Sequence, residues 1–313
     1  MEEIPVNANA GCPGTASASA GKASSCDGCP NKGACSTGQA TPDAPNEKII
    51  DRFRSIKHKI LILSGKGGVG KSTVTATLAR TLASDPNVQV AVLDVDICGP
   101  SQPRMMGVEQ EIVHDSADGW APVSVADNLT VMSIGFLLGN KDDAIIWRGA
   151  RKNGMIKQFL QDVDWGELDY LLIDTPPGTS DEHISLVQLL LQTTTIDGAL
   201  IVSTPQEVSL LDVRKEISFC RKTKVPIIGV VENMARFVCP NCNHTTILFP
   251  SSTGGAEQMC KQSELELLAQ LPMEPRLAGA LDSGEDFFTT APDSVLVKAY
   301  KDLAEKVKSK ICL

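Results

Sequence analysis

The run Leu63-Ser64-Gly65-Lys66-Gly67-Gly68-Val69-Gly70-Lys71-Ser72-Thr73 has the residue types and spacing of a phosphate cradle. Gly65, Gly67, Gly68 and Gly70 let the backbone turn consecutive N–H groups, and the N-terminus of a following helix, toward one polyphosphate. Lys71 supplies charge to the outer phosphates and Ser72 a hydroxyl to magnesium, with Val69 and Thr73 completing the loop. The run follows apolar Ile60–Leu63 and precedes Val74, Leu78 and Leu82, an i, i+4, i+8 face. Strand, loop and helix are therefore expected in that order, with a nucleotide and Mg2+ as ligands.

Acidic residues just beyond strands come next, because ligands of a parallel sheet gather at the carboxyl ends of its strands. Asp94 and Asp96 follow Val90-Ala91-Val92-Leu93, and Asp174 follows Tyr170-Leu171-Leu172-Ile173. Asp174 reads as a Walker B carboxylate that holds magnesium, directly or through water, opposite Ser72. Asp94 and Asp96 would share one side of an extended chain, so Asp94 is expected to help the metal while Asp96 orients the attacking water. Capping of the following turns is the other duty open to these aspartates.

Cysteine is the third chemical resource, and ten are present. Cys12, Cys26, Cys29 and Cys35 lie in an Ala-, Gly-, Ser- and Pro-rich segment that cannot build a core, so a metal is what could order it. Their C-x13-C-x2-C-x5-C spacing admits zinc as readily as iron–sulfur. Cys239-Pro240-Asn241-Cys242 offers two thiols to one metal, and a two-fold axis would supply the second pair from another copy of the chain. His244, two residues on, keeps a zinc site open as well. Cys98 and Cys220 read as small core residues, and spacing does not place Cys260.

The elements that must position these groups emerge from the patterning of a 313-residue chain with a formal net charge of −9. That charge disfavours nucleic acid and anionic lipid as partners. The chain has no apolar run of 18 residues, and Met1-Glu2-Glu3 lacks the features of a signal peptide, so a cytoplasmic protein with reduced cysteines is expected. Residues 1–47 read as a cysteine-bearing arm and residues 48–313 as the folded domain. Strands are expected near residues 60–63, 89–93, 129–134, 170–173, 199–203 and 227–231. Helices are expected over 151–161, 182–191, 207–223 and 295–310. Such alternation predicts an α/β fold whose sheet is mostly parallel, doubly wound and covered on both faces. Leu296, Tyr300, Leu303 and Val307 give the last helix an ordinary packing stripe, so no stable membrane anchoring is expected from its lysines.

Gly65-Lys66-Gly67-Gly68-Val69-Gly70-Lys71-Ser72 resembles the deviant Walker A loop of the MinD/ParA/Mrp class of P-loop NTPases. Asp94-Val95-Asp96-Ile97-Cys98-Gly99-Pro100-Ser101, Trp147-Arg148-Gly149, Asp164-Trp165-Gly166 and Ile173-Asp174-Thr175-Pro176-Pro177-Gly178-Thr179-Ser180-Asp181-Glu182 extend the likeness to the Mrp/Nbp subgroup. Members of that subgroup are scaffold ATPases of iron–sulfur cluster assembly. The resemblance implies that Lys66 reaches the nucleotide phosphates across a homodimer. It further implies that Asn233, in Val230-Val231-Glu232-Asn233-Met234, reads adenine. At Cys239 and Cys242 it implies a labile, bridging [4Fe-4S] cluster. At Cys12, Cys26, Cys29 and Cys35 it implies a tightly held one, the mark of the subgroup member with a ferredoxin-like arm.

On this resemblance the chain is an ATPase scaffold that uses ATP and Mg2+, assembles [4Fe-4S] clusters and passes them to cytosolic and nuclear apo-proteins. An electron donor is implied, as is a hetero-complex with a related scaffold ATPase lacking the arm. A MinD/ParA-like positioning ATPase and a zinc-stabilised nucleotide switch are the rival readings, and a reductase like the nitrogenase iron protein is a third.

Overall fold

The computed structural model describes residues 9, 12, 19–29, 32, 46–138, 147, 149–239, 242 and 244–312. Cys35 and Arg148 lie outside the described residues. The chain divides into two units, Met1–Asn46 and Glu47–Leu313.

In the larger unit, helix α1 (Glu47–Phe53) leads into strand β1 (Ile56–Leu63), the glycine-rich loop and helix α2 (Lys71–Leu82). Strand β2 (Val90–Asp94), helix α3 (Gln102–Met105) and strands β3 (His114–Ser116), β4 (Gly119–Ala121), β5 (Val123–Ala126) and β6 (Leu129–Ser133) follow. Next come α4 (Gly149–Asp162), β7 (Leu168–Asp174), α5 (Asp181–Thr193), β8 (Gly198–Ser203), α6 (Glu207–Thr223) and β9 (Ile227–Glu232). The hairpin β10 (Phe237–Val238) and β11 (Thr245–Thr246) precedes α7 (Gly255–Ser263), β12 (Leu267–Gln270), α8 (Pro275–Ser283), α9 (Phe287–Thr290) and α10 (Val295–Ile311).

Eight strands form one sheet in the order β12-β9-β8-β1-β7-β2-β6-β5. Every pair is parallel except β5 with β6, which closes one edge antiparallel. Side chains alternate across a strand, so β1 sends Leu61 and Leu63 to one face and Ile60 and Ile62 to the other. The first face packs on Phe53, Phe159, Leu190 and Val213, from α1, α4, α5 and α6. The second packs on Leu78, Leu281, Tyr300 and Leu303, from α2, α8 and α10. Burial on both faces explains why these strands are apolar throughout rather than alternating.

All six expected strands are present, and the helix expected over 207–223 is Glu207–Thr223. Val74, Leu78 and Leu82 are buried on α2. Leu296, Tyr300, Leu303 and Val307 are buried as well, which makes the final helix a core element. Ser294 caps it, its hydroxyl accepting from Leu296 N at 3.2 Å, and Lys308 and Lys310 sit in its last turn where the helix dipole favours cations. Among the described residues no helix is long and apolar enough to cross a membrane.

In the smaller unit Asn9 Nδ2 donates to the carbonyls of Ser25 (3.2 Å) and Asp27 (3.0 Å). Residue 9 is thereby held to the 3-10 turn Ser24–Cys26, while Cys29 N donates to Cys26 O at 3.1 Å.

Candidate functional site

The glycine-rich loop leaves the carboxyl end of β1 and turns into α2 through Gly70, whose φ of 84° puts it in the left-handed region. A Cβ there would stand 2.3 Å from Asn233 Nδ2, so Gly70 is required by space as well as by conformation. Gly65 is equally constrained, because a Cβ would meet the backbone of Asp212 on α6 at 2.5 Å. Residues 66–73 line a cavity of about 200 Å³, joined by Ser64, Asp96, Ser101, Met105 and Pro177. Backbone N–H groups at a helix N-terminus, two lysines and a hydroxyl suit that cavity to a phosphate chain.

Lys71 and Asp174 are both buried and form an ion pair through Nζ and Oδ1. Lys71 Nζ also lies 3.4 Å from Ser72 Oγ. Asp174 is held further by Thr75 Oγ1, donating to Oδ1 at 3.3 Å, and by Gln102 Nε2, donating to Oδ2 at 2.7 Å. Ser72 and Asp174 thus meet at Lys71, and their oxygen donors suit a hard divalent cation. Two buried acceptors here, Ser64 Oγ and Gln102 Oε1, have no hydrogen-bond partner. Buried polar groups are ordinarily satisfied, so these atoms fit a site that receives polar guests.

Asp94, expected to help hold magnesium, is engaged by the turn that follows β2. It is the register partner of Asp174 on the neighbouring strand and is fully buried. Its Oδ1 accepts from Asp96 N (3.1 Å), and its Oδ2 accepts from Ser101 N (3.2 Å), Gln102 N (3.3 Å) and Ser133 Oγ (3.0 Å). These bonds make Asp94 the cap of the turn after β2. Burial, and then the Asp174 charge, push its carboxyl above the ordinary range. Asp96 lies past the end of β2. Asp96 lines the cavity, and its carboxyl is also raised, first by burial and against the pull of Lys71.

Lys66 is exposed on the cavity wall. Its charge contributes, after Lys215, to holding Asp212 below the usual carboxylate range. Asn233, expected to read adenine, donates from Nδ2 to Val69 O at 2.9 Å and from its own N–H to Ser203 O at 2.7 Å. One donor of its side-chain amide thus supports the phosphate loop.

Sequence reasoning passed over several residues that this geometry brings in. Gln102, Thr75 and Ser64 carry no motif of their own. His183 is buried, 3.0 Å from Thr175 Oγ1 through Nε2, and Thr175 Oγ1 in turn donates to Ile62 O at 2.8 Å. Burial, aided by the Lys71 charge, brings the imidazole down to about 4, so it is neutral and its Nε2–H is the donor to Thr175. The turn that follows Asp174 is thereby fixed to β1.

Cys239 and Cys242 occupy the hairpin that follows β9. Phe237 pairs with Thr246 and Val238 with Thr245, and Cys239 N donates to His244 O at 3.0 Å. Cys239 is half-buried, while Cys242 and His244 are exposed. At the base, Ala235 N donates to Leu271 O (2.9 Å) and Met273 N to Arg236 O (2.6 Å). Two soft sulfur donors from one hairpin fit half of a four-cysteine cluster. Among the described residues no three His, Cys, Asp or Glu side chains converge as a metal site. Cys242 and the described arm cysteines Cys12, Cys26 and Cys29 are free thiols.

Cys220 is buried as expected, and burial pushes its thiol up to about 12. Cys98 corrects the core reading, because it is exposed and takes a hydrogen bond from Lys152. Cys260 is buried, with its thiol pushed up to about 11 by burial.

The family described as ParA, NUBPL iron-transfer P-loop NTPase, matches residues 55–308. A relative from Caenorhabditis elegans called "Cytosolic Fe-S cluster assembly factor NUBP1 homolog" is 78% identical over 312 residues, covering 99% of this chain and all of the relative. One of the same description from Brugia malayi is 61% identical, covering 98% of this chain and 99% of the relative. Among solved structures, a nucleotide-binding protein of Archaeoglobus fulgidus in complex with ADP superposes with a TM-score of 0.64 at 40% identity, covering 76% of this chain and 90% of that one. The cell division ATPase MinD of Pyrococcus furiosus superposes at 0.56 and 27% identity, covering 80% and 98%.

Proposed function

The chain belongs to the ParA-type family of NUBPL iron-transfer P-loop NTPases, and on that premise we propose that ATP and Mg2+ occupy the cavity of residues 66–73 while Cys239 and Cys242 carry a [4Fe-4S] cluster as cargo. Its activity is that of a P-loop ATPase, and its place is cytosolic iron–sulfur cluster assembly. The observation that supports the proposal best is the join between the two sites: Asn233, at the end of β9, holds Val69 of the phosphate loop, and the cysteine hairpin begins a few residues later.

Within the nucleotide site each residue has a distinct task. Lys71 leaves Asp174 for the outer phosphates, and Asp174 and Ser72 then hold magnesium. Held by Asp174 and Ser72, magnesium would offset the charge of the nucleotide's outer phosphates. Asp96, at the cavity wall with a raised carboxyl, orients the attacking water. Lys66, exposed on the cavity wall, contributes its charge to the nucleotide of a second copy of the chain.

A two-fold pairing of hairpins would complete four thiolate ligands, either in a homodimer or in a hetero-complex with a related scaffold ATPase that lacks the arm. Cys12, Cys26, Cys29 and Cys35 hold the resident [4Fe-4S] cluster of the arm in this reading, which also requires an electron donor and apo-protein recipients. One observation favours zinc as a second reading: His244 shares the hairpin and bonds Cys239 through the backbone.

Anaerobic reconstitution with iron and sulfide, followed by incubation with an apo-protein, separates the two readings. Acid-labile sulfide that leaves with the iron supports the cluster carrier. Zinc without sulfide in every anaerobic preparation would overturn it.

A further inference from the structure

We propose that Gln102 is a positioning residue of the nucleotide site: its side-chain amide ties the Ser72 carbonyl to the Asp174 carboxylate and offers Oε1 to the water shell of magnesium. The inference rests on the ATPase reading and deepens it. Gln102 is completely buried at the start of α3, and its Nε2 donates to Asp174 Oδ2 at 2.7 Å and to Ser72 O at 3.1 Å. Its backbone N–H donates to Asp94 Oδ2 at 3.3 Å, so the residue is fixed by one aspartate and fixes the other. The side chain thus spans the two residues whose oxygens suit a divalent cation.

Charge explains why an amide serves here. Lys71 neutralises Asp174 Oδ1 in this structure, and a second cation on Oδ2 would compete with magnesium for the carboxylate. An uncharged donor orients Oδ2 and leaves its charge to the metal. Once Lys71 turns to the phosphates, Gln102 and Thr75 are the side chains that still hold Asp174 in place. The orphaned Oε1 points the same way, because a buried acceptor without a donor is costly and a metal-bound water is a strong donor.

The test is titration of the full-length protein with a fluorescent ADP analogue, with EDTA and across a magnesium series, for wild type and Gln102→Met. Loss of the amide is expected to raise the magnesium concentration at half-maximal binding about tenfold, the size of one lost hydrogen bond to a charged group, with a smaller loss in EDTA from the freed Ser72 carbonyl. Gln102→Asn, one methylene short of both acceptors, is the second variant and is expected to show the same predominantly magnesium-dependent loss should the Met variant fail to fold. Equal magnesium dependence in variant and wild type would overturn the proposal, as would an equal loss with and without the metal. Wild type that binds nucleotide in neither condition would overturn the ATPase reading along with it.

Discussion

Lys71 and Asp174 form an ion pair with side-chain exposures of 6% and 0%, so the lysine proposed to meet phosphate rests on the aspartate proposed to hold magnesium. Neither charge is alone in the nucleotide-free protein. Lys71→Ala leaves the carboxylate with only Thr75 and Gln102 as donors, and a broken buried pair costs about 3 kcal/mol. The variant is expected to unfold at lower denaturant than wild type and to lose ATP hydrolysis about a hundredfold or more, as lost electrostatic stabilisation of a transition state commonly does. Urea unfolding and phosphate release measure the two effects, and retained hydrolysis would refute the assignment.

Asn233→Ala removes a hydrogen bond to Val69 O and support beneath Gly70. A phosphate-loop support acts on every nucleotide alike. Affinity for ADP and GDP is therefore expected to fall together, by about fivefold, the equivalent of about 1 kcal/mol. Calorimetry with both nucleotides decides it, since a loss confined to ADP would support the adenine-reading role.

Cys239→Ala with Cys242→Ala is expected to remove most of the iron that can be transferred to an apo-protein and to leave nucleotide affinity within about twofold. Neither cysteine lines the cavity, and substitutions at exposed or half-exposed turns seldom shift a fold by more than about 0.5 kcal/mol. Iron assay and nucleotide titration on the same sample give both numbers. Transfer at the wild-type rate would remove the hairpin from the pathway.

Glu216 on α6 is fully buried, and neither carboxylate oxygen has a hydrogen-bond partner. Burial, with a smaller push from Asp212, takes its carboxyl up to about 7. Between the ordinary glutamate range and pH 7 the folded protein keeps a proton that the unfolded chain releases. Stability therefore falls as pH rises through that window, and the loss is complete above it. Glu216→Gln is expected to flatten this dependence and to be more stable than wild type at pH 8, by about 2 kcal/mol. Thermal unfolding at pH 5, 6, 7 and 8 follows the trend, and parallel curves for variant and wild type would count against it.

Much of the parallel core was legible because strands buried on both faces are apolar along their whole length, as in Ile60–Leu63 and Ala199–Ser203. Leu267–Gln270 and Val123–Ala126 were not, since edge strands are short and half-exposed and carry no comparable run. Glycine spacing announced the phosphate loop, whereas Gln102 and His183 act through contacts 72 and 8 residues away that no local pattern encodes. Asp94 shows how much of an acid's surroundings its position leaves unsaid. It stands at a strand end as the rule requires, yet three backbone N–H groups and a serine hydroxyl claim it.

The bonds at the foot of the cysteine hairpin bear on how cargo changes hands. Phe237 bridges to Met273, and Cys239 lies two residues further, a span of at most about 7 Å of extended chain. Cys239 is thus tethered close to that bridge. On the proposed cargo role, recipients bring their own ligands to the thiols, so the shape of the recipient decides which proteins are served.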